Sequence, residues 1–177
     1  MSIEAELLRT PLTTAPSTQQ HALEPLQLRQ VFGQFATGVT IITTGNEAGE
    51  PVGMTASSFN TVSLEPPLIL WCIGKNAGCF DAFNHCEHFA IHVLSEEQEA
   101  LSTLFAKRGV DRFASVDYQT NSNGVPLLQK FCARLQCSVA ARYDGGDHLI
   151  MVGRVETMHS QDRTPLIFHR GRYARIA

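Results

Sequence analysis

The stretch GMTASSFNTVSLEPPLILWCI, residues 53–73, opens on a glycine and a run of small hydroxylated side chains and closes on an unbroken apolar run. PPLILWCI reads as a β-strand. Being continuous rather than alternating, it is expected to be covered on both faces or to lie inside a barrel. Thr55, Ser57, Ser58, Asn60, Thr61 and Ser63, placed just before it, fit two different readings. One is a surface loop; the other is the rim of a sheet that receives a polar ligand.

The neighbouring segments extend the β reading in both directions. Upstream, Leu28, Val31, Phe32 and Phe35 repeat at helical spacing after Pro25, with Gly38 able to end the helix. Val39 to Thr44 is a β-branched strand, and NEAGEP is turn chemistry that makes a hairpin with the extended run after it. Downstream, Asn76 is placed to cap a short helix carrying Cys79, Phe80 and Phe83, and FAIHVL (89–94) returns as a strand. Ser95 and Gln98 have capping-box spacing before a helix with Leu101, Leu104 and Phe105 on one stripe, running to about Lys107. Residues 131–143 and 147–159 read as two long antiparallel strands joined at Asp144-Gly145-Gly146, and a last short strand is expected near Pro165 to Phe168. Many strands, few helices and local hairpins define a mainly β chain with peripheral α-helices, an antiparallel barrel rather than a doubly wound sheet.

The chain has 177 residues, 44% hydrophobic and 18% charged, which is one domain with a substantial core. Residues 1–22, rich in Thr, Pro, Ser and Gln, read as a flexible tail, leaving 23–177 as the folded domain. A formal charge of -3 gives no drive toward nucleic acid or an anionic membrane, so small molecules or protein are the expected partners. No segment matches a membrane span or a secretory signal, so the expected location is cytoplasmic. The five cysteines lack CxxC spacing and read as reduced, mostly buried thiols.

Three motifs offer chemistry. The Rossmann glycine fingerprint and the P-loop are both absent. HCEH (85–88) contains metal-ligand types but straddles a helix-to-strand junction without a converging third ligand, so no metal site is expected. In GGDHLIMVG, Asp147 and His148 stand at the rim of an alternating strand, facing solvent or a ligand. HRGRYARI sets His169, Arg170, Arg172 and Arg175 around Tyr173, a group able to hold a phosphate, stack on a ring, or simply be solvated.

FATGVTIITT, GMTASSFNTVSLEPPLILWCI, FAIHVLSEEQEALSTLFA, DRF and GDHLIMVGRVE, in this order and spacing, resemble the flavin reductase family with the FMN-binding split-barrel fold, over about residues 28–175. These are reductase components of two-component flavin-dependent monooxygenases. The resemblance implies an NAD(P)H:flavin oxidoreductase of the EC 1.5.1 type, a homodimer that reduces FMN or FAD with NADH or NADPH and releases the product to an oxygenase.

It also implies flavin contacts at Thr55, Ala56, Ser57 and Ser58, a phosphate contact along GKNAGCF with Lys75, Asn76 and Cys79, and a nicotinamide contact at His148. Met54, Ser63, Cys72, Phe105, Lys107, Arg112 and Tyr173 complete the expected cofactor-binding set, with Arg108 nearby in FAKRGVDRF. The phosphate stretch departs from the family in having Asn76, Gly78 and Cys79 where hydroxyls are common. The family's Asn-Val-Leu stands here as His92-Val93-Leu94. The alternatives are a split-barrel protein that carries flavin or haem, and a flavoenzyme like pyridoxine-phosphate oxidase.

Overall fold

The computed structural model describes residues 23–176, so the expected tail at 1–22 lies outside the described residues. In chain order the elements are α1 (Pro25–Phe32), β1 (Thr37–Gly38), β2 (Thr40–Gly45), β3 (Pro51–Ala56), β4 (Asn60–Leu64), β5 (Pro67–Gly74), α2 (Phe80–His85), β6 (His88–Val93), α3 (Glu99–Ala106), β7 (Tyr118–Thr120), β8 (Pro126–Leu128), β9 (Ala133–Gly145), β10 (His148–Ser160), β11 (Ile167–His169) and β12 (Arg172–Ala174). Seven strands make one antiparallel sheet in the order β3-β2-β6-β9-β10-β5-β4.

The outer strands of this sheet, β3 and β4, are joined by only residues 57–59. Four Cα steps reach at most about 14 Å, whereas seven flat strands would be about 29 Å across. The sheet must therefore roll until its two edges meet, which is the split-barrel geometry expected from the sequence.

Rolling makes an inside and an outside. Inside lie Ile42, Ile69, Trp71, Ile73, Phe83, Phe89, Ile91, Cys137 and Met151. Outside, α3 and the 113–128 segment cover a second core of Val39, Ile41, Leu94, Phe105, Phe113, Leu128 and Leu166. Strand β2 is buried on both faces because Ile42 faces one core and Ile41 the other. Its buried threonines are bonded to carbonyl oxygens: Thr40 to Ala56, Thr43 to Pro126 and Thr44 to His88. Gly153 sits at a shift of register between β9 and β10, and a Cβ there would come within 2.5 Å of the buried Phe89 ring.

Of the two placements expected for β5, the barrel wall is the one observed: Ile69, Trp71 and Ile73 are buried inside, while Leu68, Leu70 and Cys72 remain half-buried on the outside. Two local expectations are corrected. Helix α1 ends at Gly33, whose N–H bonds Arg29 O, and Gly38 belongs to β1 opposite Ile167. None of its residues is buried, so its apolar stripe has no face to pack on within the described chain. Asn76 does not cap α2; the residue before that helix is Cys79. The capping box at Ser95 holds, with the Ser95 N–H donating to Gln98 Oε1 at 2.9 Å, and a 3-10 turn at Glu96–Gln98 leads into α3.

His92 is fully buried and bridges the sheet to β8. Its Nε2 accepts the Leu128 N–H at 3.1 Å, so Nδ1 carries the proton and donates to Ile41 O at 3.2 Å. Burial lowers its pKa to about 3, against 6.5 for an exposed imidazole. The folded chain therefore binds fewer protons than the unfolded chain between these values. Stability should fall as the pH drops from about 6.5 toward 3, by about 1.4 kcal/mol per pH unit from this group. Urea unfolding of the wild type and His92→Asn at pH 7 and pH 5 checks this: the variant should be less stable at pH 7, with the gap narrowing by about 2 kcal/mol at pH 5.

Candidate active site

The seam between the rolled edges is closed by one side chain. Ser58 Oγ accepts the Cys72 N–H at 2.9 Å and donates to Cys72 O at 3.2 Å, replacing a strand neighbour for β5. From Ser58 a row runs across the outer face, because the registers of β5, β10 and β9 align Cys72 with Ile150 and Tyr143. The next row aligns Gly74, His148 and Gly145. His148 thus stands between two glycines, with its side chain half exposed. A Cβ on Gly74 would meet Asn76 Oδ1 at 3.3 Å and His148 Nε2 at 3.7 Å, so glycine leaves a shallow bed beside the imidazole.

The GKN turn and the GDH turn meet at the end of this bed. The Lys75 N–H donates to Asp147 O at 2.9 Å, and Lys75 Nζ donates to Asp144 Oδ2 at 2.5 Å. Asp147 Oδ1 lies 2.7 Å from His148 Nδ1, which places the ring proton on Nδ1 and leaves Nε2 over Gly74. The bond from Lys75, joined by the Gly146 N–H, holds the Asp144 carboxyl below the usual carboxylate range, and the bond from His148 does the same for Asp147. Both are carboxylates at neutral pH.

A second group of expected residues collects around α3. Thr55 Oγ1 donates to Ser102 O at 2.7 Å, and the buried Ser102 hydroxyl meets Tyr173 Oη at 2.8 Å. Arg112 donates from Nη1 to Gly53 O at 2.6 Å and from Nε and Nη2 to Lys107 O. It fastens the end of α3 to β3. Residues 55–58 link this group to the row at Cys72.

The remaining expected contacts spread away from the bed. The Met54 side chain packs on the inner core with Ala56, and Phe105 is fully buried in the outer one. Ser63 pairs with Leu68, four residues along β5 from Cys72, or about 13 Å. Cys79 lines a groove of about 760 Å³ with Asn46, Asp81 and His85. Lys107 and Arg108 are exposed. In HCEH, His85 Nδ1 lies against Asp81 O, whereas His88 faces Glu156 at 3.8 Å, so the two histidines do not converge.

Sequence reasoning names Gly74 only as the start of GKNAGCF and Asp144 only as turn chemistry, and gives Ile150 no role; their positions beside one another follow from the pairing of β10 with β5 and β9.

Two of the five hydroxyls of the opening stretch are engaged. Thr55 and Ser58 each donate to a backbone oxygen and keep only acceptor capacity, whereas Ser57 is exposed. A shallow bed at Gly74 beside an oriented imidazole, a seam closed by one hydroxyl and a lysine at one end have the chemistry to accept a planar ring with an anionic tail. The fold is a rolled antiparallel sheet whose half-open outer face carries these groups.

The family model for the flavin reductase like domain matches residues 32–177, and the chain belongs to that family. Among its relatives, the stachydrine N-demethylase reductase subunit of Rhizobium meliloti is 45% identical over 85% of this chain and 65% of its own length. A probable flavin reductase of the same organism is 41% identical, and the chain spans 48% of it. The NADH-dependent FMN reductase of Agrobacterium fabrum is 43% identical over 84% of each chain. The solved NADH:FAD oxidoreductase of Streptomyces globisporus, in complex with NAD and FAD fragments, superposes with a TM-score of 0.81 at 43% identity, covering 86% of this chain and 92% of that one.

Ser58→Ala removes both bonds to Cys72 and leaves a half-buried N–H and C=O unpaired across the seam. Thermal and urea unfolding should show a loss of about 1–3 kcal/mol. Ser57→Ala, which removes an exposed hydroxyl, should stay within about 0.5 kcal/mol of wild type.

Proposed function

We propose that this chain is an NADH-dependent flavin reductase that reduces FMN or FAD and supplies the reduced flavin to a monooxygenase component. The observation that carries the reading is the alignment of Ser58, Cys72, Gly74 and His148 on one half-open face. Relatives named as NADH-dependent FMN and FAD reductases, and as reductase subunits of flavin-dependent monooxygenases, support it.

Bound flavin supplies the electron-accepting ring, and NADH supplies the hydride. The chain's own residues bind and orient. Gly74 lets a ring lie close to β5, the segment 55–58 meets its polar edge, and Lys75 meets the phosphate. His148, with its proton held on Nδ1 by Asp147, positions the nicotinamide through Nε2. Holding the two rings within reach of each other would be the chain's main contribution to the rate, so no nucleophile is required of it. Arg112 and Tyr173 act by holding α3 against β3, keeping Thr55 and the seam in place.

We further propose that the protein works as a cytoplasmic homodimer in the EC 1.5.1 class. All five cysteines are free thiols, as suits a reducing compartment. Leu26, Val31, Phe32 and Phe35 at α1, with Val62 and Leu64 on β4, are exposed apolar groups that a second copy would cover.

Purified protein given NADH and free FMN or FAD should consume NADH at 340 nm; no turnover with any pairing of NADH or NADPH with either flavin overturns the reading. His148→Ala should raise the KM for NADH by about tenfold while the flavin KM moves less than about twofold. Equal changes in both would remove His148 from the nicotinamide side.

A further inference from the structure

Lys75 leaves the bed at Gly74 already bonded to an anion. Asp144 Oδ2 takes its Nζ at 2.5 Å, while Asp144 Oδ1 takes the Gly146 N–H at 3.0 Å. The carboxylate is therefore anchored by its own turn, one oxygen to the backbone and one to the lysine. The Lys75 backbone is fixed independently through Asp147 O at 2.9 Å. The pair is open to water, with side-chain exposures of 40% for Lys75 and 76% for Asp144, so it can exchange partners rapidly.

We propose that Asp144 is a built-in competitor for the flavin phosphate: it holds Lys75 at the rim, so that a phosphate gains the cation only by displacing a carboxylate. This rests on the reading of Lys75 as the phosphate contact. A phosphate carries more charge and more acceptor oxygens than a carboxylate, so it wins the exchange, by a margin that Asp144 reduces. The fixed negative charge beside the rim also repels the phosphate directly. The consequence is a flavin that binds and leaves, as a reductase with a diffusing product requires. A site that kept its lysine free would hold the product longer.

The test compares FMN with riboflavin, which has the same ring and no phosphate. Dissociation constants are measured by flavin fluorescence for the wild type, Asp144→Asn, Lys75→Met and the double variant. Asparagine keeps the oxygen that accepts the Gly146 N–H, so the turn is retained, and thermal unfolding checks that it is. The expected result for Asp144→Asn is FMN binding tightened roughly two- to fivefold, the span an exposed ion pair allows, with slower FMN release and riboflavin unchanged. In the Lys75→Met background, Asp144→Asn should tighten FMN less, because only the direct repulsion is left. Unchanged FMN binding, equal tightening of FMN and riboflavin, or an Asp144→Asn effect of the same size with and without Lys75 would each overturn the proposal. If Lys75→Met retains the wild-type preference for FMN over riboflavin while NADH still reduces flavin, the proposal fails and the reductase reading stands. Failure of the wild type to reduce any flavin with either nicotinamide removes both.

Discussion

Three residues between the two outer strands of a seven-stranded sheet govern this structure. Residues 57–59 are too short to cross a flat sheet, so the sheet is rolled, and Ser58 closes the seam through both backbone groups of Cys72. Most of the rest follows from that closure. Rolling creates the dry interior around Trp71, and it turns Cys72 and Gly74 outward. The antiparallel pairing with β10 then carries His148 into line with Gly74. A shift of one residue in this register would send His148 to the inner face, because side chains alternate with period two.

The outer core has a different task. Strand β2 is buried on both sides, and α3 lies over it and over β3, so close that a Cβ at Gly53 would reach 2.7 Å from the Phe105 ring. Around this contact the polar groups serve the backbone. Thr55 bonds Ser102 O, Ser102 bonds Tyr173, and Arg112 joins Gly53 O to Lys107 O. Groups that sequence chemistry assigns to a ligand are here used to fix β3 against α3. Both uses draw on the same short hydroxyls and the same guanidinium, which is why residue type alone does not separate them.

What the chain's text reveals follows the range of the interaction. The β2–β3 hairpin is legible because Asn46 makes its turn locally, accepting the Ala48 and Glu50 N–H groups. The Ser95-Gln98 box and the long β9–β10 hairpin are legible for the same reason. The outer face of β5 is not, since LILWCI gives no sign of which residues the roll will bury; the structure buries Ile69, Trp71 and Ile73 and leaves the alternate residues half open. Asn76 was a reasonable cap by spacing, but the chain turns at Gly74 to Ala77, and α2 starts only after Cys79. At this edge GDH and GKN stand out in the sequence as motifs. The pairing of Asp144 with Lys75 and of Gly74 with His148 is not legible, because it exists only once two distant turns are brought together.

That shared edge also sets the electrical character of the rim. Two carboxylates, Asp144 and Asp147, stand beside one lysine and one histidine, and each carboxylate is matched to one of them. Such pairs are worth little to stability, since water screens them and long side chains lose freedom in forming them. Their value lies in placement. Asp147 fixes which imidazole nitrogen carries a proton, and Asp144 fixes where the lysine points. A buried arrangement of the same four groups would bind an anionic ligand more tightly but would leave a costly unpaired charge whenever the ligand left. Keeping the pairs at an exposed rim lets the charges change partners with small loss in either state.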